Sequence, residues 1–206
     1  MKDQLLKRII LSFLGVIIIS IAVAIFRFVN LGVDPFSCFN LGIANVLNIS
    51  FGNSQVLVSV ILIVALVWFG WRYFGIGTIF SMIMVGYVSD FILGTITIDP
   101  MTLSFMVRFL LLLVGLCVTS MGIALYSCAN LGISPYDAVA FIIDDRSHGK
   151  LQFRYVRIVF DVLLVVFGFF MGGPVGIGTL VIAFGVGPIV SYLINHLIEP
   201  YIIKKN

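Results

Sequence analysis

The residues best equipped for chemistry in this 206-residue chain lie in two recurring segments and one charged helix turn. Asn30-Leu31-Gly32-Val33-Asp34-Pro35-Phe36-Ser37 is matched, at an offset of 100, by Asn130-Leu131-Gly132-Ile133-Ser134-Pro135-Tyr136-Asp137. In each copy an Asp or Ser precedes proline and a Ser or Asp follows two residues after it, so hydroxyl and carboxylate trade places. Such a pattern marks a helix start: the cap accepts from exposed amides, proline fits the first helical position, and the positive dipole end favours acceptors. Helix starts beside broken backbone also form ion and substrate sites in transporters. N-terminal capping leaves Asn30 and Asn130 without a role, so Asn30, Asp34, Ser37, Asn130, Ser134 and Asp137, together with Arg157 and Asp161, are candidate substrate-binding residues.

Arg157 and Asp161 stand four residues apart and share a helix face. A charge at the centre of a spanning helix costs roughly 2.5–3.5 kcal/mol, so Asp161 is expected to face protein, as part of a structural ion pair or of a proton or substrate relay. Asp90 and Arg108 are a second candidate intramembrane pair. His148 and His196 are isolated, and Cys38, Cys117 and Cys128 read as packing residues, so neither a metal nor a cofactor is expected. The glycine-rich stretch Gly172 to Thr179 has no following Lys and no preceding strand; it reads as a tight turn, not a phosphate loop. With no nucleophile, base and metal together, the chain is not read as an enzyme.

The elements that position these residues follow from composition. Hydrophobic residues make up 61% of the chain and charged ones 10%, too little polarity to coat a water-soluble globule. Its solvent is a lipid bilayer, where the backbone must satisfy itself, and the apolar runs are too long for barrel strands. The fold class is therefore all-α, a polytopic membrane protein whose single domain covers the chain. Six transmembrane helices are expected: Ile9 to Val29, Gln55 to Trp71, Gly75 to Gly94, Leu103 to Ala129, Tyr155 to Gly172 and Gly176 to Ile198. The first reads as an uncleaved signal anchor. The helices after Pro35 and Pro135 are short, and either interfacial or re-entrant. The first carries an apolar stripe at Phe36, Phe39, Ile43, Val46 and Leu47.

Lys and Arg set the orientation. With the N-terminus inside, ten of the 12 face the cytoplasm: Lys2, Lys7, Arg8, Arg72, Arg146, Lys150, Arg154, Arg157, Lys204 and Lys205. Arg27 and Arg108 lie near outer helix ends, where long side chains reach the interface. This charge bias is topological, without the basic stripe and interleaved aromatics of nucleic-acid binding.

A second internal match pairs Gly75-Ile76-Gly77-Thr78 with Gly176-Ile177-Gly178-Thr179. Repeat 1 thus runs over about 9–95 and repeat 2 over about 103–198. Three spans per repeat is an odd number, so the repeats are expected to be inverted, an architecture of secondary transporters whose site lies between halves.

Asn-Leu-Gly-Ile-Ser-Pro-Tyr-Asp at 130–137, Arg157 with Asp161, Gly-Ile-Gly-Thr at 176–179 and Gly187-Pro188 together resemble the YczE/YyaS/YitT-type bacterial membrane proteins. The resemblance implies a bacterial plasma-membrane protein and supplies no substrate. The expected function is a small-molecule transporter or transporter component. The alternatives are a substrate-binding subunit of an energy-coupling transporter, or a regulatory scaffold whose charged segment Asp144 to Arg157 docks a partner. A homo-oligomer or partner subunit fits each. Reporter fusions are expected to place the 30–54 segment outside and the 130–154 segment in the cytoplasm; the reverse result removes the argument for opposed halves.

Overall fold

A computed structural model describes residues 2–148 and 150–197. Lys204 and Lys205, read above as inward charges, and Ile198, the expected end of the last span, lie outside the described residues. The described elements are all helical: α1 (Lys2–Val29), α2 (Pro35–Leu47), α3 (Phe51–Gly70), α4 (Ile76–Thr95), α5 (Phe105–Ala129), α6 (Pro135–Arg146), α7 (Phe153–Phe170) and α8 (Ile177–Leu193), with single 3-10 turns at Trp71–Tyr73 and Pro100–Thr102. Side-chain caps start several of them. Asp34 accepts from Ser37 N at 3.0 Å, Ser50 from Asn53 N at 3.2 Å and Ser104 from Val107 N at 3.4 Å. Ser134 precedes α6 but makes no side-chain cap, so its expected capping bond is not formed.

Among the described residues, five helices are long and apolar enough to cross a membrane: Leu5–Val29, Phe51–Tyr73, Ile76–Thr95, Phe105–Ala129 and Ile177–Leu197. The expected span Tyr155 to Gly172 corresponds to α7 and is not among them, because its 18 residues carry Arg154, Arg157 and Asp161. Trp68, Phe91, Phe170 and Phe184 are each more than 70% exposed, an apolar exterior suited to lipid and not to water.

The two long connections hold α2 and α6, and both helices are inserted into the protein. Pro35, Phe36, Ser37, Cys38, Asn40, Gly42 and Ala44 are buried on α2, while Val46 and Leu47, expected on its apolar stripe, are half exposed. On α6, Pro135, Tyr136, Ala138, Val139, Ala140 and Ile142 are buried. Burial on so many faces describes helices enclosed by others, not helices lying along a surface.

At the centre, α1 and α5 cross antiparallel through small residues. A Cβ on Gly15 would lie 2.8 Å from Gly122 O and Tyr126 N, and one on Gly115 would lie 2.7 Å from the Phe26 ring. Since Gly15 and Gly115, and Phe26 and Tyr126, are each separated by 100 residues, the contacts repeat with the halves exchanged. Ser20 and Ser120 each return a hydroxyl bond of 2.7 Å to the carbonyl four residues back, which satisfies them within their own helices.

The two sequence motifs meet across the halves. Gly178 N donates to Leu31 O at 2.7 Å, and Gly77 N donates to Leu131 O at 2.9 Å. Thr78 reinforces one side by donating its hydroxyl to Ile133 O at 2.7 Å. Local backbone explains the Asn-Leu-Gly spelling. Asn30 and Asn130 have φ of 50° and 51°, the left-handed turn that ends α1 and α5, and Gly32 and Gly132 have φ of 103° and 102°. The left-handed turns present the leucine carbonyls to the opposite half, so both asparagines do have a capping role, at the C-terminus of the preceding helix.

A Cβ on Gly32 would sit 2.6 Å from both Gly176 N and Thr179 Oγ1 in a backbone region that L-residues avoid. Gly32→Ala is therefore expected to destabilise by several kcal/mol. Gly94→Ala, with nothing within 4 Å of the new methyl, is expected to be neutral or mildly stabilising. Thermal unfolding of the two detergent-purified variants checks the contrast, and equal melting would remove the clamp from the stability argument.

Candidate functional site

Exchange between halves also builds the centre: α2 packs on α7, and α6 packs on α3. The first turns of α2 and α6 consequently meet, and Phe36 stacks on Tyr136 with ring centroids 4.7 Å apart and planes 8° from parallel. Val58 and Leu164 close the apolar cluster around them. The stacked rings are themselves counterparts, 100 residues apart.

An ionic cluster stands beside this stack. Arg157 Nε lies 3.2 Å from Asp161 Oδ1, and another guanidinium nitrogen of Arg157 is bonded to Asp137. The guanidinium carbon sits 3.9 Å from the Tyr136 ring centroid, while the Tyr136 hydroxyl donates to Asp161. Asp34, the cap of α2, is within electrostatic reach of Arg157. Proline placement explains the geometry: Pro135 fixes the helix start, which turns Tyr136 and Asp137 toward α7, where Arg157 and Asp161 occupy one face. Side-chain exposures of 26% for Arg157, 33% for Asp137 and 19% for Asp161 leave the cluster partly accessible. It can hold an ionic ligand group or pass a proton between carboxylates.

Of the sequence candidates, Asp34, Ser37, Asp137, Arg157 and Asp161 belong to this region. Ser37 is buried beside Asp34, and its amide is the one Asp34 caps. Ser134 lies at the start of α6 without a capping bond. Asn30 and Asn130 are exposed at the ends of α1 and α5. The expected pair of Asp90 with Arg108 is not formed. Asp90 bonds Arg27 at 2.8 Å and accepts from Gly52 N at 2.8 Å, while Arg27 also bonds Ser89 and lies 4.3 Å from the Phe51 ring centroid. Arg27 thus ties α1, α3 and α4 together and does not simply reach for the interface. Arg108 donates to Val29 O at 2.7 Å and Asn30 O at 2.8 Å, a cation placed on the open carbonyls that end α1.

Sequence matching missed the uncharged counterpart of the ionic cluster. Helices α3 and α7 begin at Phe51 and Phe153, an offset of 102, which places Gln55 against Arg157 and Ser59 against Asp161. Ser37 is already the counterpart of Asp137 and Phe36 of Tyr136. Gln55 and Ser59 are buried, at 4% and 1% exposure. Gln55 Nε2 approaches Ser81 O at 3.5 Å, while its Oε1 has no hydrogen-bond partner among the described residues. One half carries charge and the other carries amide and hydroxyl at matched positions. The helix starts at Phe51 and Phe153, two residues off the offset of the proline-led segments, were the only signal, since these residue pairs share no identity.

Removing one carboxylate leaves the guanidinium under-compensated. Asp161→Ser or Asp137→Ser alone is expected to cost about 3 kcal/mol, the low end for a buried pair because the side chains are only partly buried. The triple change Asp137→Ser, Arg157→Gln and Asp161→Ser copies the other half and is expected to recover most of that loss. Unfolding measurements on the three proteins check this, and a triple variant less stable than either single variant contradicts it.

Comparison with known proteins places the chain. A family model described as "Family of unknown function (DUF6198)" matches residues 6–195. An uncharacterised protein of Haemophilus influenzae is 31% identical over 167 residues, 81% of this chain and 73% of the relative. The uncharacterised membrane protein YczE of Bacillus subtilis is 22% identical over 97% of this chain and 91% of its own length. YyaS of the same organism, also uncharacterised, is 26% identical over 94% of each. No solved structure matches. The chain therefore belongs to the DUF6198 family of unknown function and is of the YczE/YyaS type.

Proposed function

We propose that this protein is a small-molecule transporter, or a component of one, in the bacterial plasma membrane, with its site where the starts of α2 and α6 meet between two inverted halves. The observation that carries the reading is the Arg157 cluster with Asp137 and Asp161, partly accessible, carried by α6 and α7 of the second half and adjoining α2 of the first through the Phe36–Tyr136 stack. An ionic group there costs stability that a purely structural interior avoids, and the matched positions in the other half manage without it. The antiparallel crossing of α1 and α5, with contacts repeated at an offset of 100, supports opposed halves of the kind that exchange conformations in alternating access.

In this reading α7 is the sixth span. Its Arg157 and Asp161 turn inward to α6, while Val159, Val162, Phe167 and Phe170 are exposed, an apolar face toward lipid. Both termini are cytoplasmic, as the basic residues require. α2 and α6 are re-entrant, and no enzymatic step is assigned. A second reading, as the membrane subunit of a larger transporter, is favoured by α8, whose main packing among the described residues is on α5 and whose Ile177, Leu180 and Phe184 are exposed. Recovery of a stoichiometric ATPase module on purification would select it.

Untargeted mass spectrometry of cells and medium provides the test, comparing expression of the wild type with Arg157→Gln and Asp161→Asn at equal membrane abundance. At least one compound is expected to redistribute across the membrane with the wild type and to lose most of that change in both variants. A redistribution insensitive to both substitutions, or none at all, removes the proposal.

A further inference from the structure

Beside the Leu131 clamp, the end of α3 and the end of α6 enclose an open groove of about 450 Å³, lined among others by Val67, Trp68, Arg72, Asp145 and Arg146. Gly70 lets Ile142 approach closely and so holds the two helix ends together. Arg72 bonds Asp145 and, at 3.1 Å, the Tyr73 hydroxyl, which itself donates to Asp145 at 2.5 Å. Arg146 donates Nε and a terminal nitrogen to Phe69 O at 3.3 and 3.2 Å. Each guanidinium is thus anchored through part of its fork and retains further donors, a pre-ordered arrangement suited to phosphate oxygens. Two arginines and one carboxylate leave a single positive charge. The Tyr73 hydroxyl, with Arg72, holds the Asp145 carboxyl below its usual range, so that balance persists into mild acid. Trp68 and Trp71, 85% and 74% exposed, flank the groove as the interfacial aromatics of membrane proteins do.

The matching junction at the other end of the molecule shows that the fold does not require these charges. There α2 meets the end of α7, with Asn45 and Val46 where α6 has Asp145 and Arg146. Asn45 Nδ2 donates to Gly172 O at 2.9 Å, which closes the junction without an ion.

We propose that the Arg72–Arg146 groove is a headgroup site for an anionic phospholipid, its phosphodiester seated on the two guanidiniums and its glycerol and upper chains against Trp68 and Trp71. The single net positive charge complements a singly charged diester such as phosphatidylglycerol. Basic pockets between membrane helices recognise such headgroups. The site lies outside the Arg157 cluster and stands whether or not the protein transports.

Native mass spectrometry of the delipidated full chain, offered equimolar phosphatidylglycerol and phosphatidylcholine, tests the site. Phosphatidylglycerol adducts are expected to outnumber phosphatidylcholine adducts about five-fold in the wild type and to fall to near parity in Arg72→Gln/Arg146→Gln. Arg146→Gln alone, which leaves Arg72 paired with Asp145 and so protects the fold, is expected to lose at least half of the preference. Parity in the wild type overturns the proposal, as does an undiminished preference in Arg146→Gln. Inorganic phosphate or glycerol 3-phosphate that displaces phosphatidylglycerol at micromolar concentration identifies a site for soluble phosphate and overturns the lipid assignment.

Discussion

Two main-chain hydrogen bonds, Gly178 to Leu31 and Gly77 to Leu131, govern how this chain can be assembled. An amide or carbonyl left open in an apolar interior costs several kcal/mol, so a chain that breaks its helices there needs partners for the broken backbone. Each break at Asn-Leu-Gly finds its partner at the glycine-rich helix start of the other half. The left-handed asparagine, the positive φ of the glycine and the bare Cα atoms of the receiving helix are one requirement expressed at three positions. With both loops fixed, α2 and α6 enter the interior at set angles, and Phe36 and Tyr136 come face to face.

Within that frame the halves differ in charge. Arg157, Asp137 and Asp161 answer Gln55, Ser37 and Ser59, and the Arg72–Asp145 junction answers Asn45 and Gly172. At these two places the backbone arrangement is therefore compatible with either chemistry, and only one of the two matched sites carries an ion pair, while the first half has its own in Arg27 and Asp90. The second half holds its charges between helices or at helix ends, while its outer surfaces stay apolar.

Much of this was legible in the chain. Hydropathy located the long helices, and the proline-led segments located α2 and α6, because both signals are local. The identity of Asn-Leu-Gly and Gly-Ile-Gly in the two copies drew attention to the segments that meet, since only backbone geometry forces the same residue types twice. The partners of charges were less legible. Asp90 joins Arg27, 63 residues away, because α1 and α4 run side by side, a fact of packing with no sequence period. The Gln55 and Ser59 counterparts were hidden because chemistry had diverged where geometry had not. Asn30 looked functional because its requirement is a dihedral angle, which sequence reading weighs less readily than a side-chain bond.

The crossed clamp has one more consequence. Each half carries one carbonyl-presenting loop and one amide-presenting glycine, and the partner half supplies the complement of both. A single half is thus self-complementary: two identical copies would satisfy both main-chain bonds with no new residue. The joining of the halves in one chain adds nothing to that contact. What the two halves gain by not being identical is individuality: one carries arginine at a position where its twin carries glutamine.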